Sequence, residues 1–144
     1  GDGPAIKRMY KAIQDKSYLG AFTYYHGRLS HSETLNMYKQ ADLFAFPSSC
    51  ETFGISLLEA MSAGLPIACS DRGPMPEVLK DAGVYFNPEN PSSIAASLKL
   101  LLQDESLREN LGRKALSLSQ AFTWERCAQE TFSFLSSVYK HHLI

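Results

Sequence analysis

The sequence has 144 residues, a formal net charge of −1, 44% hydrophobic residues and 20% charged residues. This length and composition predict one globular domain and exclude a disordered or collagen-like segment. Basic and acidic residues are nearly balanced, which gives no indication of nucleic-acid binding. No apolar run approaches the roughly 18 residues of a membrane-spanning helix, so no transmembrane segment is predicted.

Helix and strand patterns alternate from the start of the chain to Phe86. Apolar residues three or four positions apart indicate helices, and short runs of apolar and β-favouring residues indicate strands. The first predicted elements are a helix over Ile6–Ile13, a strand over Leu19–Tyr25, a helix opened by the capping box Ser30-x-x-Glu33 and a strand over Asp42–Phe46. They are followed by a helix from about Gly54 to Ala63, a strand over Leu65–Ser70, a short helix over Glu77–Lys80 and a strand over Val84–Phe86. This alternation predicts an α/β fold, a Rossmann-like parallel sheet with helices on both faces.

Only helical patterns follow Asn87. One apolar stripe begins at Ile94 and a second at Leu107, where Gly112 is expected to be a tolerated weak point. Thr123 is predicted to cap a long last helix. The apolar set of that helix is Trp124, Cys127, Ala128, Thr131, Phe132, Leu135, Val138 and Tyr139. The sequence therefore predicts an all-helical C-terminal segment.

The cysteines and histidines do not indicate a metal site. Cys50, Cys69 and Cys127 form no Cys-x-x-Cys pair, and no histidine completes a zinc-binding spacing. Neighbouring His141 and His142 are interpreted as polar residues of the tail. The odd number of cysteines and the lack of a recognisable signal peptide favour a reducing, cytoplasmic location.

The segment Phe46–Pro66 is the one predicted to bind a ligand. A strand ends at Pro47, a polar loop follows, and a helix begins near Gly54. In a parallel α/β sheet, ligands bind at this carboxyl edge. The first N–H groups of the helix, around Phe53, Gly54 and Ile55, lack acceptors within the helix and favour an anion such as a phosphate. Gly54 would allow the ligand to approach the backbone closely.

Glu51 and Glu59 are two carboxylates eight residues apart in the same segment. On one helix, their Cα atoms would be separated by about 12 Å along the axis and about 80° around it. The acid/base pair of a glycosidase needs roughly 5–9.5 Å between its carboxyl groups, so direct pairing is not expected. We predict instead that each carboxylate binds hydroxyls of a different part of one extended ligand. The alternative for Glu59 is a solvated helix charge, although its neighbours are apolar.

This segment resembles the Glu-x7-Glu signature of family 4 glycosyltransferases, which are retaining, two-domain B-type enzymes that use nucleotide sugars. Six further segments are similar to the family, in order and at family spacing. They are Gly1-Asp2-Gly3-Pro4, Tyr25–Ser30, Ala41–Ser48, Ala63–Ile67, Arg72–Val78 and Phe122-Thr123-Trp124. The resemblance covers essentially all 144 residues and implies a C-terminal donor-nucleotide-binding domain over residues 1–144.

The resemblance implies a role for each residue of the signature. Glu51 takes the catalytic position and binds hydroxyls of the donor sugar. Glu59 binds the ribose hydroxyls of the nucleotide. The backbone amides of Phe53, Gly54 and Ile55 contact the sugar and the diphosphate.

The other implied contacts lie around the signature. Thr52 replaces a common family glycine and would narrow the space next to the sugar. Gly3 belongs to the family's glycine loop. The loop of Gly27, Arg28 and Leu29 would lie against the nucleobase, although Arg28 is equally well explained as a surface charge.

The sequence also departs from the family. Arg72-Gly73-Pro74 stands where the family usually has Gly-Gly, and Glu77 fits either the family pattern or a helix-start charge. The family's phosphate-binding arginine and lysine lie on the first strand of the domain and the loop after it, which these 144 residues do not include. We therefore expect an incomplete domain that lacks its first two strands and an N-terminal acceptor-binding domain. Such a chain should not catalyse transfer by itself.

The resemblance implies that the full protein transfers a sugar, with retention, from a nucleotide diphosphate to a hydroxyl of a sugar, lipid-linked or other acceptor. The resemblance implies neither a metal nor a cofactor. It is compatible with peripheral membrane contact of the full protein. One alternative keeps the fold, as a nucleotide-sugar epimerase or a phosphorylase, but no segment resembles the lysine site for pyridoxal phosphate that a phosphorylase needs. Another is a non-catalytic nucleotide-binding or interaction module.

Overall fold

The computed structural model describes residues 3–15 and 23–141. The chain divides into two compact units, residues 1–37 and residues 38–144. The described residues form seven helices and three strands, and the three strands lie in the second unit.

The first unit contains helix α1 (Ile6–Asp15) and most of helix α2 (His31–Gln40). The capping box predicted before α2 is present, because the backbone N–H of Glu33 donates to Ser30 Oγ (3.3 Å) and the backbone N–H of Ser30 donates to Glu33 Oε2 (2.7 Å). The Ser30 hydroxyl also donates to Glu33 Oε2 (2.6 Å), and this bond, followed by the one from the Ser30 backbone N–H, lowers the pKa of Glu33. The strand predicted over Leu19–Tyr25 falls mostly outside the described residues, and positions 23–25 carry no regular structure.

The sheet of the second unit consists of β1 (Phe44–Phe46), β2 (Ile67–Ser70) and β3 (Gly83–Phe86). All neighbours are parallel, in the order β1-β2-β3, and Phe46 is paired with Cys69 and Cys69 with Tyr85. Helix α3 (Ile55–Ser62) connects β1 with β2, and helix α4 (Met75–Leu79) connects β2 with β3. The predicted parallel α/β fold is therefore confirmed.

Three helices follow the sheet, namely α5 (Pro91–Gln103), α6 (Glu105–Ser119) and α7 (Trp124–His141), as the helical patterns predict. On one face of the sheet, Ala68 and Phe86 pack with Leu101 of α5 and Leu111 of α6. Side chains alternate between the two faces along a strand, so Ile67 and Cys69 point away from this cluster. Both are fully buried, which means that the opposite face is covered as well.

Sequence patterns locate the helix ends in most cases. Gly64 adopts a left-handed φ of 73° just after α3, where a glycine cap is expected. Asn90 Oδ1 caps α5 by accepting from the backbone N–H groups of Ser92 (3.0 Å) and Ser93 (3.3 Å). Helix α4 begins at Met75 rather than at Glu77, because prolines are well tolerated in a first helical turn.

Gly112 of α6 is not the weak point that the sequence suggests. It is buried, and a Cβ atom placed on it would lie only 2.4 Å from the backbone oxygen of Gly64. Helix α6 can approach the turn after α3 so closely only because this position has no side chain.

Helix α7 is exposed from Trp124 to Lys140. The predicted cap is present, since the backbone N–H of Arg126 donates to Thr123 Oγ1 (3.1 Å). Its large apolar side chains, including Trp124 (84% exposed) and Phe132 (69% exposed), are spaced to share one side of the helix. Among the described residues, no helix has the length and apolar character needed to cross a membrane.

Candidate functional site

The loop between β1 and α3 lies at the carboxyl edge of the sheet. It leaves β1 at Pro47 and reaches α3 through Gly54, whose φ of 88° is left-handed. A Cβ atom on Gly54 would lie 3.5 Å from Cε1 of Phe46 and 3.6 Å from Cβ of Leu57, so space is available but the backbone conformation favours glycine. Inside the loop, Ser48 Oγ donates to the backbone oxygen of Cys50 (3.2 Å). Gly54 therefore fixes the direction in which α3 leaves the loop.

The N-terminal turn of α3 is open to an anionic ligand. Gly54 occupies the cap position and has no side chain with which to accept the first N–H groups, and the first turn contains no acidic residue. Ile55, the first residue of the helix, is 65% exposed. Unsatisfied N–H groups and the helix dipole both favour negative charge at such an end. The predicted anion-binding turn is thus accessible.

Glu51 and Glu59 lie on opposite sides of this turn along the chain. Glu51 is half-buried in the loop, and the backbone of Gly73, after β2, approaches it closely enough that a Cβ atom there would lie 3.7 Å from the Glu51 backbone oxygen. Glu59 is half-buried on α3. Because Glu51 is not helical, the separation calculated for two carboxylates on one helix does not apply.

Tyr38 is a residue of this region to which the sequence assigned no functional role. Its hydroxyl lies 3.4 Å from Glu59 Oε2 and 3.4 Å from the backbone oxygen of Ser56, and its ring packs edge-on against Phe44, with centroids 5.5 Å apart. Burial, followed by the negative charge of Glu59, raises the pKa of Tyr38. The signal in the sequence is slight: a tyrosine on an apolar helix face brings a hydroxyl that needs a partner when buried.

Phe53 and Phe122 form a second contact that sequence patterns do not reveal. Their rings meet edge to face with centroids 5.8 Å apart and an interplanar angle of 68°. Each is 37% exposed, so the pair lies at the surface. Phe53 belongs to the loop between Glu51 and Gly54, and Phe122 immediately precedes the cap of α7. The two segments therefore touch although they are far apart in sequence.

The ends of β2 and β3 add polar groups to the same edge of the sheet. Arg72 Nε lies 3.2 Å from Asp71 Oδ1, and Arg72 Nη2 donates to Asn87 Oδ1 (3.4 Å). The backbone N–H of Arg72 donates to Ser70 Oγ (3.2 Å). Arg72 thus brings a partly exposed cation to the edge of the sheet where the loop between β1 and α3, here called the Glu51 loop, lies.

The structure brings one part of the predicted site together. The loop between β1 and α3 contains Glu51, Thr52, Phe53 and Gly54. Helix α3 follows directly and contains Ile55 and Glu59. Gly3, Gly27, Arg28 and Leu29 belong to the first unit, so their part in the site stays a prediction. Glu77 is exposed in the first turn of α4, in agreement with a helix-start charge.

No metal site appears in the described part of the chain, where no three His, Cys, Asp or Glu side chains are grouped to hold an ion. His141 ends α7, and His142 falls outside the described residues.

Comparison with known proteins identifies similar chains. The family described as glycosyl transferases group 1 matches residues 1–117. The O-antigen chain mannosyltransferase B of Escherichia coli is 37% identical over 109 residues, which are 76% of this chain and 29% of that protein. Sucrose-phosphate synthase from Thermosynechococcus elongatus superposes with a TM-score of 0.84 at 24% identity, over 98% of this chain and 36% of the other.

A second solved structure has the same fold. Anabaena HepE, in complex with UDP and glucose, superposes with a TM-score of 0.81 at 22% identity and covers 92% of this chain. The present chain corresponds to 36% of HepE. It therefore spans between 29% and 36% of the length of these three proteins.

Proposed function

The chain belongs to the glycosyl transferases group 1 family, and we propose that its loop between β1 and α3 binds the nucleotide diphosphate of a sugar donor. The observation that carries this proposal is the order of the polar groups along the loop and helix α3. A half-buried carboxylate (Glu51), an accessible helix N-terminus (Ile55) and a second half-buried carboxylate (Glu59) follow one another. A nucleotide sugar has the matching sequence of sugar hydroxyls, diphosphate and ribose hydroxyls.

Each group has a distinct task in this proposal. Glu51 accepts hydrogen bonds from hydroxyls of the transferred sugar, next to Thr52, and Glu59 accepts them from the ribose. The backbone N–H groups of Phe53, Gly54 and Ile55 bind the diphosphate, where helix dipole and hydrogen bonding both favour negative charge. Gly54 allows the phosphates to approach the backbone. The UDP and glucose bound to HepE, a protein of the same fold, support this choice of ligand.

The whole protein then transfers the sugar, with retention, to a hydroxyl of an acceptor bound by a part of the protein outside these residues. As the glycosidic bond breaks, negative charge grows on the diphosphate, and donors already in position stabilise it. In this chain, the N-terminal turn of α3 and the partly exposed Arg72 can do so, and this assignment asks for no metal or cofactor. The three cysteines are free thiols, which supports a cytoplasmic location.

Calorimetric titration tests the proposal on the protein expressed from its complete reading frame. Uridine diphosphate or guanosine diphosphate should bind, and Glu59→Gln should weaken that binding about tenfold or more, since a hydrogen bond to a charged group contributes about 1.5–3 kcal/mol. Glu51→Gln should reduce sugar transfer but leave the affinity for the diphosphate nearly unchanged. Glu109→Gln, at an exposed position of α6, is the matched control and should change neither quantity.

Two outcomes would contradict the proposal. If the folded protein binds neither diphosphate, the domain is better described as an interaction module. If a nucleotide sugar is converted into its epimer without an acceptor, the same site serves an epimerase.

A further inference from the structure

The hydroxyl of Tyr38 meets α3 at two acceptors. It lies 3.4 Å from Glu59 Oε2 and 3.4 Å from the backbone oxygen of Ser56. Ser56 and Glu59 are three residues apart, so both acceptors are on the same side of α3. We propose that Tyr38 is a positioning residue that sets the orientation of the Glu59 carboxylate for a pair of ligand hydroxyls. This inference rests on the proposed role of Glu59.

The phenol of Tyr38 has one proton to donate, and two acceptors, Glu59 Oε2 and the backbone oxygen of Ser56, compete for it. A carbonyl oxygen inside a helix already accepts the N–H of the residue four positions later, whereas the carboxylate of Glu59 carries a full charge. Hydrogen bonds to charged acceptors are the stronger ones. The Tyr38 proton is therefore directed mainly to Glu59 Oε2. Both distances are long for O–H···O bonds, which fits one donor shared between two acceptors.

The sheet fixes the position of this hydroxyl. The Tyr38 side chain is only 8% exposed, and its ring packs edge-on against Phe44 at an interplanar angle of 83°. Phe44 in turn stacks on Phe46, with centroids 5.8 Å apart. Both phenylalanines belong to β1, so the donor is held by a rigid element. An ordinary tyrosine is already protonated at neutral pH, and burial raises the pKa of Tyr38 further, so the phenol is able to donate.

Orientation matters because a ribose presents two neighbouring hydroxyls. A carboxylate accepts from both only when its plane faces them, and a glutamate side chain has several rotatable bonds that must be fixed. Holding Glu59 through Oε2 before the ligand arrives lowers the entropic cost of binding. Tyr38 should consequently increase the preference of the site for a ribonucleotide over its 2′-deoxy analogue.

The decisive variant is Tyr38→Phe, which removes one oxygen and keeps the ring packed on Phe44. The probe is uridine diphosphate or guanosine diphosphate, whichever the wild type binds more tightly, compared with its 2′-deoxy analogue by calorimetry. In the protein expressed from its complete reading frame, Tyr38→Phe should weaken ribonucleotide binding about five- to tenfold and leave 2′-deoxynucleotide binding within about twofold. The donor KM should rise while kcat stays within about twofold, as expected for loss of binding shared by ground and transition states.

Tyr85→Phe is the matched control. Tyr85 is half-buried, and its hydroxyl donates to the backbone oxygen of Lys80 (2.6 Å), so the same atom is removed without touching Glu59. Its ratio of ribonucleotide to 2′-deoxynucleotide affinity should match the wild type. Because a ratio of two dissociation constants from one preparation does not depend on the folded fraction, partial misfolding of either variant cannot imitate the effect.

Glu59→Gln separates failure of this inference from failure of the proposed function. If Glu59→Gln removes the ribose preference and Tyr38→Phe retains it, Tyr38 is not a positioning residue, and the proposed function stands. If the wild type binds neither diphosphate, or Glu59→Gln leaves the preference intact, the proposed function itself is wrong. The double variant should lose no more ribonucleotide affinity than Glu59→Gln alone, since Tyr38 acts through that carboxylate.

Discussion

Replacing Gly112 by alanine sets two physical effects against each other. Gly112 lies inside α6, where alanine is favoured over glycine by about 1 kcal/mol, so helix propensity alone predicts a more stable protein. A Cβ atom at this position, however, would lie 2.4 Å from the backbone oxygen of Gly64. Real Cβ contacts are essentially never shorter than 3.0 Å, so α6 and the turn after α3 would have to move apart by more than half an ångström.

The added Cβ atom would clash with a backbone atom of Gly64, and a backbone atom moves aside less easily than the end of a side chain. Gly64 is in the left-handed conformation, and its N–H donates to the backbone oxygen of Met61 (3.0 Å), so the turn cannot shift without losing the cap of α3. Overpacking a well-packed region typically costs about 1–3 kcal/mol, and a backbone partner calls for the upper end of that range. After the gain in helix propensity, Gly112→Ala should destabilise the fold by about 2 kcal/mol.

Thermal unfolding followed by circular dichroism checks this prediction. A loss of about 2 kcal/mol lowers the Tm by roughly 4–8 °C for a domain of this size. Ser117→Ala, at an exposed position on the same helix, should leave the Tm unchanged or raise it slightly. A Gly112→Ala protein as stable as the wild type would refute the argument from close approach.

Three further predictions concern the ring pair, the buried thiol and a helix cap. Phe122→Ala removes the partner of Phe53 and should weaken nucleotide diphosphate binding about three- to tenfold by calorimetry, since an aromatic pair contributes about 0.5–1.5 kcal/mol; Phe122→Tyr should retain most of the affinity. Burial raises the pKa of Cys69 from 9.0 to about 12. As the pH rises, the thiol therefore ionises first in the unfolded chain. The contribution of Cys69 to stability is complete below pH 9 and is lost as the pH rises toward 12. When Tm is measured over this pH range, Cys69→Ala should show a smaller decrease than the wild type. Asn90→Ala should cost about 1 kcal/mol in urea unfolding and Asn90→Asp much less; equal losses would argue against capping by the side-chain oxygen.

Local signals were sufficient for most of the fold. The strand Ile67–Ser70 is apolar up to Cys69 and buried at all its positions, on both faces, as a central parallel strand requires. Gly64, expected to end α3, does so in the left-handed conformation that glycine adopts without strain. The position of the Glu51 loop at the edge of the sheet could be predicted because Pro47 indicates the end of the strand and Gly54 the start of the helix.

Contacts between distant segments could not be predicted in the same way. Tyr38 and Glu59 are far apart in the chain, and no period of apolar residues relates a hydroxyl on one helix to a carboxylate on another. The Phe53–Phe122 pair depends on where the end of α6 places the following segment. Gly112 was misjudged because helix propensity considers one helix at a time and ignores the backbone packed against it.

The exposed α7 has a practical consequence for anyone who studies this domain separately. Trp124, Phe132, Leu135 and Tyr139 are all more than half exposed, and a contiguous apolar surface of this kind promotes self-association in water. Measurements of ligand affinity on such a sample would depend on protein concentration. A shorter chain that ends at Thr123 would leave this apolar face out.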